Sequence, residues 1–290
     1  MSNSDTGPLT VRVPSRIDLA GGWSDVHYFS AREGGAVVNA AISPYVEGRA
    51  SWQNNELRLE YTLSLPPGSH LGTSSSIDVA WLRLTNGLMG QDLAPAQLAE
   101  QAYHLEKLLG VEGGKQDQYA AALGPGFHLL RFGAEDTPAE VERLDVASET
   151  IRALQERLVI CFSGAGTASS VHAQVWERYR AGDAGITDAL RRIRDSASVA
   201  RDALLGGDLA ALAGALTTNR EQTRRLHPDA ITARMDELFA AGEAAGAIGA
   251  KPCGAGGGGS LLFLCGESTR EQVEGTLRAK GGEIIPFQFA

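Results

Sequence analysis

The chain carries only three cysteines in 290 residues, Cys161, Cys253 and Cys265. An odd number at such wide spacing excludes the even framework of a disulfide-stapled fold, and no CxxC pair offers a zinc site. Reduced thiols are expected, and with them a cytoplasmic location. The six histidines show neither HxH nor HExxH spacing, so no zinc or iron centre is read from them. Basic runs are missing as well. With 26 Lys and Arg against 35 Asp and Glu the formal net charge is −9, and neither a nucleic-acid backbone nor an anionic membrane is an expected partner. No apolar run approaches a membrane span, and the opening Met-Ser-Asn-Ser-Asp-Thr-Gly-Pro lacks the charged and apolar blocks of a signal peptide.

Glycine, by contrast, is plentiful and gathers in a few stretches. Pro66-Pro67-Gly68-Ser69-His70-Leu71-Gly72 resists regular structure, and four hydroxyl residues, Thr73 to Ser76, then lead into the apolar run Ile77 to Leu84. Hydroxyls favour helix starts because they can cap orphan amides. The free N–H groups and positive dipole end of such a start suit a phosphate, and the hydroxyls suit Mg²⁺. The stretch lacks the Gly-Lys-Ser/Thr ending of the common P-loop. Taken alone, it reads equally as a glycine-containing turn before an amphipathic helix.

Before it, Leu9 to Val13 reads as a strand ended by Pro14, and Ser15 to Ala20 alternates on towards Gly21-Gly22-Trp23-Ser24-Asp25, which brings Arg16 and Asp25 to one rim. A surface ion pair and a helix cap are the ordinary alternatives for these two. Residues 34–42, 45–52 and 57–63, the last two around Asn54-Asn55, read as strands of a mostly antiparallel sheet. A helix follows from Pro95 to Leu109, with Glu106 beside its apolar stripe. The glycines of Gly110 to Tyr119 then open a turn that leaves Asp117 at a loop-to-helix junction, where a carboxylate can also simply favour the dipole.

Strands at 127–132 and 141–144 close the first half. The polar segments 135–140 and 147–155 look like linkers, so the sequence predicts domains 1–155 and 156–290. The second half reads as a strand at 158–162, helices at 170–180, 186–205, 208–226 and 231–245, a strand at 261–265, a helix at 269–279 and a last strand at 283–289. Gly254, Gly256 and Gly259 match GxGxxG, yet a strand follows them where the dinucleotide fingerprint needs a helix. So many glycines are unusual for a plain hairpin and argue for close approach to a ligand or to the facing domain.

Three stretches in order, PSRIDLAGGWSD, PPGSHLGTSSS and KPCGAGGGGS, with GGKQDQ between the second and third, resemble the motifs of the GHMP kinases, the family of galactokinase and of homoserine, mevalonate and phosphomevalonate kinases. The resemblance spans almost the whole chain. It implies a two-domain α+β fold, like ribosomal protein S5 domain 2 in the first half and ferredoxin-like in the second, with ATP and substrate in the cleft. It further implies that Pro67, Gly68, Ser69, His70, Leu71, Gly72, Thr73, Ser74 and Ser75 cradle the ATP phosphates and that Ser74 and Glu106 hold Mg²⁺. Asp117 is then the catalytic carboxylate facing the acceptor hydroxyl, and Arg16 neutralises the transferred phosphoryl group. Asp25 binds sugar hydroxyls, with Gly22, Gly256 and Gly257 also on the substrate side.

Within the family, GGWSD and LGTSS look like fucokinases, and GGKQDQYAAALG looks like bacterial D-glycero-D-manno-heptose 7-phosphate kinases. The expectation is an ATP- and Mg²⁺-dependent kinase acting on the anomeric hydroxyl of a sugar or sugar phosphate, with the heptose phosphate ahead of L-fucose. A catalytically silent sugar sensor and a small-alcohol kinase are the alternatives, and a homodimer is compatible with either. Two departures stand out. His70 occupies a place where the family usually has Gly, and Thr167 one where many fucokinases and heptose kinases carry Arg. Arg220, Arg224 and Arg225, on one expected helix, are candidates to replace that cation.

Overall fold

The alternation that starts at Leu9 runs straight through Pro14. In the computed structural model, which describes residues 8–53, 56–166 and 168–290, β1 spans Leu9–Ala20 and absorbs the proline as a shift of register between Pro14 and Ser15, since proline offers no N–H to the ladder. The two strands expected at 34–42 and 45–52 are likewise one, β2 (Gly35–Gln53). The expectations for the N-terminal stretch, the Asn54-Asn55 turn and Thr167 lie outside the described residues.

β2 is the spine of the first sheet, pairing antiparallel with β1, with β3 (Glu56–Thr62) and with β4 (Phe127–Phe132), which in turn pairs with β5 (Glu140–Leu144). After the short α1 (His27–Glu33), three helices cover one face of that sheet: α2 (Thr73–Leu88), α3 (Pro95–Leu108) and α4 (Gln116–Leu123). Alternate strand residues Val13, Val37 and Leu130 meet Val79, Leu98 and Tyr119 there, the burial that a half-apolar strand and an apolar helix stripe both require.

The second sheet has the order β7-β8-β6-β9, with β6 at Leu158–Phe162, β7 at Ala247–Pro252, β8 at Ser260–Cys265 and β9 at Glu283–Ile285. β7 escapes the sequence reading because Gly249 and Pro252 are poor strand formers. Its presence makes the glycine run a hairpin connection after all. The polar stretch read as a linker at 147–155 is instead α5 (Ser148–Arg157), a surface helix that buries only Thr150 and Leu154. α6 (Ala168–Arg180), α7 (Ala184–Gly206), α8 (Leu209–Leu226), α9 (Ala233–Ala244) and α10 (Arg270–Ala279) complete the chain.

The two sheets lie on either side of residue 155, yet one core joins them: Ile17, Val38 and Ile42 pack in the same cluster as Leu204, Leu216, Leu262 and Phe287. The C-terminal end returns to the first sheet, where Phe289 bridges Ile42. Among the described residues no helix is long and apolar enough to cross a membrane, and all three cysteines are free and buried.

Candidate active site

The loop between β3 and α2 ends at Gly72, which caps the helix in a left-handed conformation at φ 75° without any side-chain hydrogen bond. The four hydroxyls therefore do not cap the helix, contrary to the sequence expectation. Ser76 Oγ donates back to the Pro14 and Gly72 carbonyls, and Ser75 Oγ donates to Glu106 Oε1 at 2.6 Å. Ser74 stays exposed. Leaving the first-turn amides uncapped preserves them for an anionic guest.

His70 adopts φ 59°, a backbone conformation that glycine takes without cost, which is a physical reason for glycine at such a position. Its ring lies against the glycine connection, and a Cβ at Gly259 would overlap the imidazole. Burial, reinforced by Arg16, pulls the His70 pKa down, so the ring is neutral near pH 7.

Arg16, 4% exposed, reaches from β1 to the start of α4. Its Nε and Nη2 donate to Asp117 Oδ1 and Oδ2 at 2.8 and 2.9 Å, and Nη1 donates to the His70 carbonyl at 2.9 Å. Beside this fork, Glu106 is buried, with Oε1 on Ser75 and Oε2 accepting from Gln118 at 2.8 Å. Burial pushes its carboxyl up to about 7 against the Ser75 hydrogen bond, and Asp117 and Asp78 add repulsion. Asp25 accepts from the Gln116 amide at 3.1 Å; burial raises it too to about 7, against that N–H and with help from the Asp117 charge. Gly114 is needed here because a Cβ would overlap the Asp25 carboxylate.

Two cavities meet at this point. One, of about 420 Å³, is lined by Leu63, Leu65, Pro66 to His70, Gly72 to Ser74, Ile77 and Asp117. The other, of about 250 Å³, contains Arg16, Trp23, Asp25, Glu106 and His172 in its lining, together with Gly254 and Ala255. The residues common to both are Ser74 and Asp117.

Other expected site residues sit outside these linings. Gly22 is pressed against the Asp18 carboxylate, where a side chain would overlap it, and Gly256 against the Ala230 carbonyl; the Gly257 amide donates to that same carbonyl at 2.8 Å. Arg220, Arg224 and Arg225 pair with Glu243, Asp236 and Asp188 respectively and line neither cavity. Sequence reasoning passed over Lys251, whose Nζ is buried on Asp18, 2.7 Å from the backbone oxygen and 3.0 Å from Oδ2. It also passed over Trp23 and His172, which stack on each other in the lining of the smaller cavity. Trp23 lay within a quoted motif; nothing around His172 marked it out.

Comparison with known proteins adds the family. The model for the GHMP kinase N-terminal domain matches residues 36–125, and that for the C-terminal domain matches residues 200–283. Together they cover more than half of the chain. It belongs to the GHMP kinase family. As a GHMP kinase it is a phosphotransferase, and its two-domain mixture of helix and sheet is that of GHMP kinase structures. A D-glycero-alpha-D-manno-heptose 7-phosphate kinase of Campylobacter jejuni is 23% identical over 97% of this chain and 96% of its own length. The bifunctional fucokinase/GDP-fucose pyrophosphorylase of Arabidopsis thaliana is 26% identical over 90% of this chain, which spans 30% of that longer protein. Among solved structures, a D-glycero-D-manno-heptose 1-phosphate kinase from Bacteroides thetaiotaomicron superposes with a TM-score of 0.76 at 26% identity, covering 97% of this chain and 95% of the other.

Proposed function

We propose that the protein is a cytoplasmic, ATP- and Mg²⁺-dependent kinase that phosphorylates the anomeric hydroxyl of a sugar or sugar phosphate. The observation that carries this reading is the meeting of two cavities at Ser74 and Asp117. Two substrates bound in separate pockets with one shared boundary are held as an in-line displacement needs. The heptose phosphate kinase and fucokinase relatives support a sugar as acceptor. The buried free thiols support the reducing compartment.

On the nucleotide side, Leu63, Leu65, Pro66 and Ile77 offer an apolar slot for a base, and the uncapped amides of α2 take the phosphates. On the acceptor side, Asp117 accepts the proton of the attacking hydroxyl as its oxygen bonds to phosphorus and the bond to the departing ADP breaks; the proton then passes to solvent. Arg16 aims this carboxylate by holding both oxygens.

The residues fit a magnesium ion. Glu106, crowded by Asp117 and Asp78, and the hydroxyls of Ser74 and Ser75 form a hard oxygen set with surplus negative charge. Magnesium takes one or two carboxylates and completes its shell with phosphate oxygens and water. When bound, it would neutralise charge on the transferring phosphates.

The test is ATP turnover by the purified protein with L-fucose, D-mannose and D-glycero-D-manno-heptose 7-phosphate, with and without Mg²⁺, and phosphorus NMR of the product. Phosphate on the anomeric oxygen is expected; phosphate on any other oxygen sinks the reading.

A further inference from the structure

The acceptor-side cavity is short of positive charge. Its ionisable lining is Asp25, Glu106 and Asp117 against Arg16 and His172, and Arg16 has Nε, Nη1 and Nη2 committed to Asp117 and the His70 carbonyl. Every Lys and Arg of the chain lies among the described residues, so the census of side-chain cations is complete. Three cations outside the lining are engaged as well. Lys115 is buried against Glu100, Lys107 pairs with Glu135, and Arg180 lies over the Tyr28 ring and donates to the Trp176 carbonyl. A phosphate ester wants charge-assisted donors, and the lining meets it mainly with acids, Asp25 and Asp117 among them.

What the cavity does offer is an aromatic wall with a fixed polar edge. Trp23 stacks on His172 with ring centroids 4.9 Å apart and planes 27° from parallel. It holds φ 84°, a strained conformation for a bulky side chain of the kind that persists at functional sites. Its Nε1 is buried without a partner among the described residues. His172 Nε2 accepts from Trp176 Nε1 at 3.1 Å, which requires that nitrogen to carry no proton. Burial lowers the His172 pKa to about 4, so the neutral ring keeps its proton on Nδ1. The cavity-lining border of this stacked pair, an N–H donor and the Asp25 carboxylate together suit a neutral ring bearing hydroxyls, which donate and accept in turn.

We propose that the acceptor is an unphosphorylated sugar lying against Trp23, with one hydroxyl donating to Asp25 and another accepting from His172 Nδ1–H. This rests on the sugar-kinase reading above and narrows it. Trp176 acts one step back, as the residue that sets the His172 tautomer.

The experiment compares matched pairs: D-mannose with D-mannose 6-phosphate, and D-glycero-D-manno-heptose with its 7-phosphate, each with ATP and Mg²⁺. Within each pair the free sugar is expected to have the higher kcat/KM by about tenfold or more, the scale set by a charged group without partners in a closed site. A phosphate ester preferred in either pair overturns the proposal and leaves the kinase reading intact. No turnover of any of the four overturns both. Alongside, His172→Phe is expected to raise the KM for the free sugar by about tenfold with little change in the KM for ATP, and His172→Asn, which restores an N–H near the place of Nδ1, to recover part of that loss. Equal rises in both KM values, or no recovery by Asn, remove His172 from the proposed role.

Discussion

Arg16 grips both oxygens of Asp117, with Nε to Oδ1 at 2.8 Å and Nη2 to Oδ2 at 2.9 Å. The sequence reading gave Arg16 to the phosphoryl group and Asp117 to the acceptor. The geometry couples the two residues, because a guanidinium fork locks the carboxylate plane in a way that a lysine ammonium does not.

Asp117→Asn is therefore expected to keep ATP affinity and lose turnover by roughly 10²-fold or more, the scale of a lost general base. Arg16→Lys should lower kcat by about tenfold while leaving nucleotide binding intact, since charge remains but aim is lost. ATP titration and steady-state rates check both. Near-normal turnover in Asp117→Asn would take the base role from Asp117.

Ser74→Ala and Glu106→Gln should each raise the Mg²⁺ concentration that gives half-maximal activity, because each removes an oxygen from a set that contributes few ligands. An unchanged Mg²⁺ dependence in both variants would put the ion elsewhere.

Asp25 carries a pH signature. Its folded pKa of about 7 lies above the usual 3.8, so between those values the folded state holds a proton that the unfolded chain has lost. Stability then falls as pH rises from about 4 to 7 and levels off above, by a total on the order of 4 kcal/mol at about 1.4 kcal/mol per unit. Asp25→Asn should flatten that slope. Urea unfolding of both proteins at pH 5 and pH 8 tests this, and an equal loss in the two would refute it.

The Asp18–Lys251 pair, 1% exposed on both sides, ties β1 of one sheet to β7 of the other. Lys251→Met should cost about 3–5 kcal/mol, because it strands a buried carboxylate. Combining it with Asp18→Asn should cost less than the two single changes together. Strict additivity in denaturant unfolding would show that the contact carries no coupling.

Most strands of the first half, though not the helices α1 and α5, the four long helices of the second half and the three glycine-bearing motifs were legible in the sequence. Each depends on local chemistry: period-2 and period-3.6 apolar patterns, proline and glycine at turns, and residues that sit close together along the chain. The resemblance to the GHMP kinase motifs brought Arg16, Glu106 and Asp117 forward as site candidates. The sequence could not say that Arg16 spends its donors on Asp117, because those residues are 101 positions apart and their meeting depends on how α4 lies across β1. For the same reason Ser75, and not its neighbour Ser74, is the hydroxyl on Glu106: the rotation of α2 about its axis decides it, and that rotation is set by core packing against the sheet. β7, with its Gly and Pro, exists only because β8 supplies a partner for its backbone. Gly256 is a glycine because the Ala230 carbonyl, remote in sequence, fills the space beside it. Finally, the chain's composition fixes how many cations there are, but only the tertiary fold decides that Arg16 alone of them lines the acceptor cavity and that its donors go to Asp117 and the His70 carbonyl.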